Sequence, residues 1–390
     1  MAEGKILTLN MGPHHPATHG VLRLVLELDG EIIVKATPHV GQLHRGIEKI
    51  AENMNYQQII PLTDRLDYTA ASLNNLGYCL AVEKLLGIEV PKRAQYIRVI
   101  MGELARIMGH HLWIGSHALD IGAMTVVFYT FRDREMIMNI TEEASGYRLT
   151  PSYLRVGGLV KDVTPDFIKF VRDFVKWFPT AIAGYNTLLT DNIIWRKRTM
   201  GIGKVSAEDA VNYGFTGPSL RGSGVPYDLR KVRPYSSYDD FDFQIPVGEN
   251  GDVYDRYLVR MEEFTQSLNI IAQAIENLPE GPVNVDNPWV ANPNIGEVME
   301  DISALIRRFK IQCEGPHAPE GEIYQSVEGS KGELGFYLVG DGSEHPYRMK
   351  IRSPCYILTS ALPKMVVGHM IADIIAIIGS IDIVLGEIDR

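Results

Sequence analysis

Only three cysteines occur in 390 residues, Cys79, Cys313 and Cys355, and no two of them form a CxxC pair. They cannot by themselves supply a cysteine-rich zinc or iron–sulfur site, which needs clustered thiolates. Their odd number and wide spacing fit a reducing compartment rather than a disulfide framework. Positive charge is also short. The 38 Lys and Arg stand against 48 Asp and Glu, a net charge of −10, and no basic stripe exists to bind nucleic acid. Long apolar runs are absent: no stretch of about 18 residues is free of polar groups, so no membrane span is expected. The most apolar region, "MVVGHMIADIIAIIGSIDIVLGEIDR", is interrupted by His369, Asp373 and Asp382 and reads as a buried helix. The opening "MAEGKILTLN" has no basic stretch followed by an apolar one, so no signal peptide is expected. No GxGxxG opens a βαβ unit, which removes a dinucleotide fold. The loop "LRGSGVPYDLRK" lacks the GK[ST] ending of a phosphate-binding loop and reads as a subunit-docking loop.

What is present reads as an α+β chain, mainly helical, with small antiparallel sheets in its N-terminal and C-terminal parts. We expect one domain over 1–390, with a β-hairpin region at 1–38, a helical core at 39–200, an irregular region at 201–251, and a long helix, hairpin and C-terminal segment at 252–390. "GVLRLVLELDGEIIVKA" predicts a hairpin turning at Asp29-Gly30. Helices are expected from Gly41 to Asn53, from Pro61 to Gly87, after "VPKR", and through "VVFYTFRDREMIMNITEEASGY". Thr164-Pro165 reads as an N-cap and first turn of a helix reaching Leu189. Residues 214–247 read as loop. Val253, Tyr257, Met261, Phe264, Leu268, Ile271 and Ile275 form a helical apolar stripe. A second hairpin is expected to turn at Gly340-Asp341-Gly342, and a helix precedes the final "DIVLGEIDR".

"GPHHPATHGVLRL" places three of the 11 histidines in six residues. His15 and His19 are four apart, a metal spacing only on a helix, and Pro13 and Pro16 oppose a helix there. No HExxH surrounds them. His14 and His15 read as loop residues bonded to backbone, whereas His19, before Gly20 at the hairpin's mouth, can be presented into a cavity.

"GPHHPATHGVLRL", "LHRGIEK", "DRLDY" and "GSIDIVLGEIDR", in that order, resemble the family of 49-kDa quinone-site subunits of respiratory complex I, the D-type subunits of bacterial NADH–quinone oxidoreductases. The likeness runs from about Leu7 to Arg390. That family is similar in fold to the large subunit of [NiFe] hydrogenases, which bind metal through two CxxC pairs. Here the first pair's slots hold Asp67 and Ala70, and the second pair's hold Val384 and Glu387. With the thiolates gone a soft-metal centre is not expected. What the resemblance implies is a hydrogenase-like cavity emptied of metal.

The resemblance further implies that a quinone headgroup enters this cavity as substrate. Electrons would come from a 4Fe-4S cluster held by a neighbouring protein of the same complex, with NAD and FMN on other subunits. The family's donors to the quinone fall on His19 and Tyr68, and the histidine's carboxylate partner falls on Asp120. A phenol is a neutral donor, an imidazole can deliver a proton near neutral pH, and an ionised carboxylate orients the ring. Taken without the resemblance, Tyr68 could be a core residue of an amphipathic helix and Asp120 a capping group. Arg45 and Arg65 match residues close to the cluster, where guanidinium groups stabilise its reduced form; they could instead pair with Glu48 or Asp64. Ser116 matches a headgroup-pocket position. Thr150, in "RLTPSYLRVGG", stands where many relatives have histidine, which puts in doubt a proton-coupled, high-potential cluster and ubiquinone as acceptor.

The implied partners are the cluster-bearing subunit, the C-type subunit of such complexes and the membrane subunit at the quinone entry. The implied place is the cytoplasmic side of a bacterial inner membrane, as a peripheral protein of a proton-translocating NADH–quinone oxidoreductase. Two alternatives remain: the equivalent subunit of a ferredoxin- or deazaflavin-dependent quinone-reducing complex, and a hydrogenase-like scaffold without a catalytic role.

Overall fold

The computed structural model describes residues 6–15 and 18–390; the expectation of no signal peptide, as far as it concerns residues 1–5, and the helix-breaking role of Pro16 lie outside them. The expected N-terminal hairpin forms as β2 (Arg23–Asp29) and β3 (Ile32–His39), with Asp29 opposite Ile32 across the turn. Leu24, Leu26 and Leu28 alternate inward, which fixes the register. A strand not anticipated, β1 (Leu7–Met11), pairs antiparallel with β2. Only Met11 of β1 is buried, so the sequence carries little alternation to reveal it.

Two expected helices are cut short. In place of a helix from Gly41 to Asn53, only α1 (Ile47–Ala51) forms. The backbone N–H groups of Gly41 and Leu43 donate to the Asp389 carboxylate at 2.8 and 2.7 Å, which holds 41–45 in an open loop. The helix expected from Pro61 to Gly87 splits into α2 (Ile60–Thr63) and α3 (Ala71–Leu86). Between them Asp67 accepts from the backbone N–H (3.1 Å) and hydroxyl (2.6 Å) of Thr69, while Asn74 donates to its carbonyl at 2.9 Å. Such local bonds outcompete a helical ladder. Tyr68 therefore sits on a loop, not on an amphipathic helix.

The remaining helical core follows the expectation. The 30-residue α4 (Lys92–Ile121) and α5 (Thr125–Ser145) each end at a left-handed glycine, Gly122 and Gly146. Short strands β4 (Leu154–Arg155) and β5 (Gly158–Leu159) precede α6 (Pro165–Tyr185). The Thr164 hydroxyl caps α6, accepting from Phe167 N–H at 3.1 Å, and one π turn extends it past Leu189. α7 (Ile193–Thr199) follows. The stretch read as loop is partly ordered, with α8 (Ala207–Tyr213) just before it and α9 (Gly217–Gly222) and α10 (Leu229–Val232) within it. The apolar stripe forms α11 (Val253–Glu276) as expected. After α12 (Ile295–Glu300) and α13 (Ile302–Cys313), the second hairpin proves to be a three-stranded antiparallel sheet: β6 (Gly321–Glu328), β7 (Glu333–Gly340) and β8 (Pro346–Arg352). The chain closes with α14 (Pro354–Val366), the buried α15 (Ile371–Ile381) and α16 (Leu385–Asp389). No helix among the described residues is long and apolar enough to cross a membrane.

α4 is the axis: α3, α5, α11 and α15 all pack on it. A second apolar cluster joins the N-terminal sheet to α14 and α15. Between α4, α9, α10, α11 and β6 lies a sealed ionic network. Arg221 pairs with Glu263, Glu328 and Asp228, and Arg230 with Asp228 and Glu103, all fully buried. Burial alone would push Glu103 upward, but Arg106 and Arg230 outweigh it and bring it down to about 2. Nearer the end of α3, Glu83 receives both terminal nitrogens of Arg98, at 2.9 and 2.6 Å. Removing one member of a buried pair strands the other charge. Glu83→Ala is expected to lower the unfolding free energy of the purified protein by about 3–5 kcal/mol in urea titration. A loss below about 1 kcal/mol would mean that Arg98 finds water or another acceptor.

Candidate functional site

Three of the four sequence motifs meet at the C-terminus. Arg45 Nη2 donates to the carbonyls of Arg65 (2.9 Å) and Gly386 (2.6 Å), tying "LHRGIEK", "DRLDY" and "LGEIDR" together. Gly386 permits this approach: a Cβ there would lie 2.8 Å from the Leu66 carbonyl oxygen and 3.0 Å from that of Arg65. Asp389 accepts from the 41–43 loop, and His44 Nδ1 lies 2.6 Å from the Asp389 carbonyl oxygen. Arg45 is thus bound to backbone carbonyls, not to Glu48, whose carboxylate faces Arg348, Lys350 and Arg390. Arg65 is exposed, and Asp64 accepts from the Ser152 hydroxyl instead. That bond brings the segment after Thr150 against the residue preceding Arg65.

The fourth motif supplies His19. Its φ of 50° and the φ of 110° at Gly20 turn the chain sharply, and Gly20 packs near Leu385. His19 Nε2 lies 2.9 Å from Asp120 Oδ2, with both side chains mostly buried. The contact is an ion pair by distance; the ring nitrogen is not aligned for a regular hydrogen bond. Asp120, one residue from the end of α4, engages His19 across the fold and is not a capping group. Ser116, one turn earlier on α4, spends its hydroxyl on the carbonyls of Leu112 (2.9 Å) and Trp113 (3.1 Å). His14 and His15 are exposed, and the His15 carbonyl accepts from the Thr18 N–H and hydroxyl.

Tyr68 is 40 % exposed. Burial of the rest of the ring and the adjacent Asp67 push its phenol above the usual range, against the pull of Lys331 and Arg45. Nothing in the sequence singles out Lys331. It lies in "EGSKGE", the tight turn between β6 and β7, where a lysine ordinarily points to water. Here it is 1 % exposed and bridges two carboxylates: Asp67 Oδ2 at 3.2 Å and Asp382 Oδ2 at 3.3 Å. Burial disfavours the ammonium, but Asp382 and Asp67 outweigh that and raise its pKa. Glu387 lies close by. It accepts from the Ser353 hydroxyl at 2.8 Å and from the Cys355 thiol at 3.5 Å. Burial and Asp67 push it up to about 7. So Asp67 and Glu387, two of the positions that hold cysteine in the pattern of the resembling hydrogenases, do come near each other, and the ammonium beside them lies between Asp67 and Asp382. Among the described residues no group of three or more His, Cys, Asp or Glu is arranged to hold a metal.

The profile of the family described as "Respiratory-chain NADH dehydrogenase, 49 Kd subunit" matches residues 120–390. The chain belongs to that family. Over all 390 residues it is 59 % identical to the D-type subunits of the NADH-quinone oxidoreductases of Geotalea uraniireducens and Geobacter sulfurreducens, with each chain covered in full. It is 53 % identical to the corresponding protein of Chromobacterium violaceum, again across the whole of both chains. In this member of the 49-kDa family, then, Lys331 joins "DRLDY" to Asp382 of "GSIDIVLGEIDR", and the "GPHHPATHG" histidine is joined to α4 by Asp120. Elemental analysis of the purified chain should show no stoichiometric nickel, because the slots that would hold thiolates carry Asp67, Ala70, Val384 and Glu387. About one nickel per chain would overturn this assignment.

Proposed function

We propose that this chain forms a wall of the quinone-headgroup site in a complex I-type, proton-translocating NADH–quinone oxidoreductase. The observation that carries the reading is the His19–Asp120 pair at 2.9 Å, joined by an exposed phenol, Tyr68, that borders a charged and sealed pocket. The names of the full-length relatives support NADH rather than ferredoxin or a deazaflavin as the source of electrons. Retention of His19, Tyr68 and Asp120 together speaks against a scaffold without catalysis.

Reducing a quinone to quinol takes two electrons and two protons. His19 donates to one carbonyl oxygen and Tyr68 to the other. Each donor lowers the cost of the negative charge that develops as electrons arrive. Asp120 holds the imidazole in place. The phenol of Tyr68, held above its usual pKa, stays protonated at neutral pH and is thus ready as a donor. The electrons come from a 4Fe-4S cluster on a neighbouring protein of the complex; the three cysteines of this chain are scattered, with Cys79 and Cys355 buried and Cys313 exposed. Arg45 and Arg65 lie on the side facing that cluster and stabilise its reduced state; Thr150, two residues before the Ser152 that bonds Asp64, is a group that does not titrate near neutrality. Ser116 contributes to the headgroup pocket through its position on α4 rather than as a strong donor. NAD and FMN are held by other subunits. Clefts of about 520 Å³ elsewhere on the chain are lined by neither His19 nor Tyr68. The remaining walls of the site come from the cluster-bearing subunit and from the membrane subunit at the quinone entry. The C-type subunit docks on the same peripheral arm, at the cytoplasmic face of the inner membrane.

Tyr68→Phe and His19→Ala in the assembled complex are expected to lower quinone reduction by about 10²–10³-fold while NADH-driven reduction of ferricyanide persists. Equal loss of both activities would indicate failed assembly. Near-normal quinone reduction in both variants would remove these residues from the site.

A further inference from the structure

The pocket around Lys331 holds more negative groups than its ammonium can balance. Asp67 comes from the loop before α3, Asp382 from the turn between α15 and α16, and Glu387 from α16. Lys331 contacts the first two, at 3.2 and 3.3 Å. Glu387 has no cation within ion-pair distance among the described residues; its partners are the Ser353 hydroxyl, the Cys355 N–H and the Cys355 thiol. A second cation borders the group. Arg260 of α11 is fully buried, and its Nε and Nη2 have no hydrogen-bond partner among the described residues. Its remaining terminal nitrogen donates to the carbonyls of Ser380 and Arg256; burial lowers its pKa, against the pull of Asp382 and then Glu263, while Arg221 opposes them. Lys331 is thus committed to Asp67 and Asp382, and Arg260 is shared between Asp382 and Glu263. When Glu387 ionises it adds a buried carboxylate that no cation contacts among the described residues. Burial keeps Cys355 as a thiol, with Glu387 and Asp67 adding to the effect. The same Lys331 and Cys355 act electrostatically on Tyr68.

We propose that Glu387 is the proton-holding positioning residue of this site: it takes up a proton from solvent when electrons reach the quinone and returns it when quinol leaves. The proposal rests on the quinone-site reading above. Quinone, two electrons from the neighbouring cluster and two protons delivered by His19 and Tyr68, which are reprotonated from solvent, make quinol. The proton on Glu387 is a separate one. It forms an O–H bond on the carboxyl and later breaks it, without entering the product. Its effect is electrostatic. A proton on Glu387 removes the charge of that carboxylate behind Lys331, so that the full field of the ammonium reaches Tyr68 and the negative charge developing on the quinone. Burial gives Glu387 a proton affinity that such a role needs, near neutrality.

The test uses the assembled complex carrying Glu387→Gln, which keeps the acceptor for Ser353 but cannot ionise. Native quinone reduction should fall about fivefold between pH 7 and 8 as the protonated form is lost, and that of the variant less than about twofold. Ferricyanide reduction should be alike in both. Thermal stability gives an independent readout. A carboxyl whose folded pKa lies above its ordinary value stabilises fully below that ordinary value, and the contribution is lost as pH rises through about 7. The native complex should therefore lose stability relative to Glu387→Gln as pH rises from the ordinary carboxyl range to about 7, and the difference should stay constant above that. Parallel stability curves would show that Glu387 holds no proton. Diverging stability with identical pH–rate profiles would show that its proton is not linked to the reaction. Either result overturns the proposal. If Glu387→Gln does not assemble, Glu387→Asp should keep the pH-dependent fall with a displaced midpoint, and an unchanged midpoint would overturn it. Normal quinone reduction by Tyr68→Phe and His19→Ala would instead sink the quinone-site reading, while the stability comparison still reports on Glu387.

Discussion

The ammonium of Lys331, shared by Asp67 and Asp382, is the contact on which the site depends. It joins three segments far apart in sequence: the loop before α3, the turn of the C-terminal sheet, and the link into α16. A buried carboxylate without such a partner would have to be neutral or would drive the segments apart. With the ammonium in place, the loop carrying Tyr68 is fixed from below by Asp67 and its own Asx-type bonds, while the phenol remains open above.

Arg45 completes the same junction from the other side by tying the backbone of Arg65 to that of Gly386. Neither contact resembles the isolated ion pair expected of a surface arginine or lysine. The two side chains act as struts between backbone and carboxylate, and the rest of the fold holds them at the right depth. α4 contributes Asp120 at one end and Arg98 near the other, so a single rigid helix relates the histidine side of the site to the α3 packing layer.

Much of this is legible in the sequence. The long helices follow from their apolar periodicity, and α6 from its threonine cap and first-turn proline. The pairing of His19 with Asp120 follows from motif resemblance, and the structure brings them together. What is not legible has physical causes. Periodicity alone cannot show that Asp67 and Asp389 draw nearby N–H groups out of a helix, so it predicts two helices where loops lie. β1 and β6 each have little alternating pattern to reveal them. Lys331 is invisible because a lysine between serine and glycine in a tight turn has every local mark of a solvent residue. Only the acidic replacements at the cysteine slots, Asp67 and Glu387, hint that a cation is needed there.

The central proposal is that a quinone headgroup docks against His19 and Tyr68, beside the pocket shaped by these struts. The most direct measurement is a structure of the assembled complex with a bound short-chain quinone. The account predicts headgroup density with one carbonyl oxygen within hydrogen-bond distance of Tyr68 Oη and the other within reach of His19, with Lys331 still bridging Asp67 and Asp382 beneath. A headgroup bound at a site that touches neither Tyr68 nor His19 would contradict it.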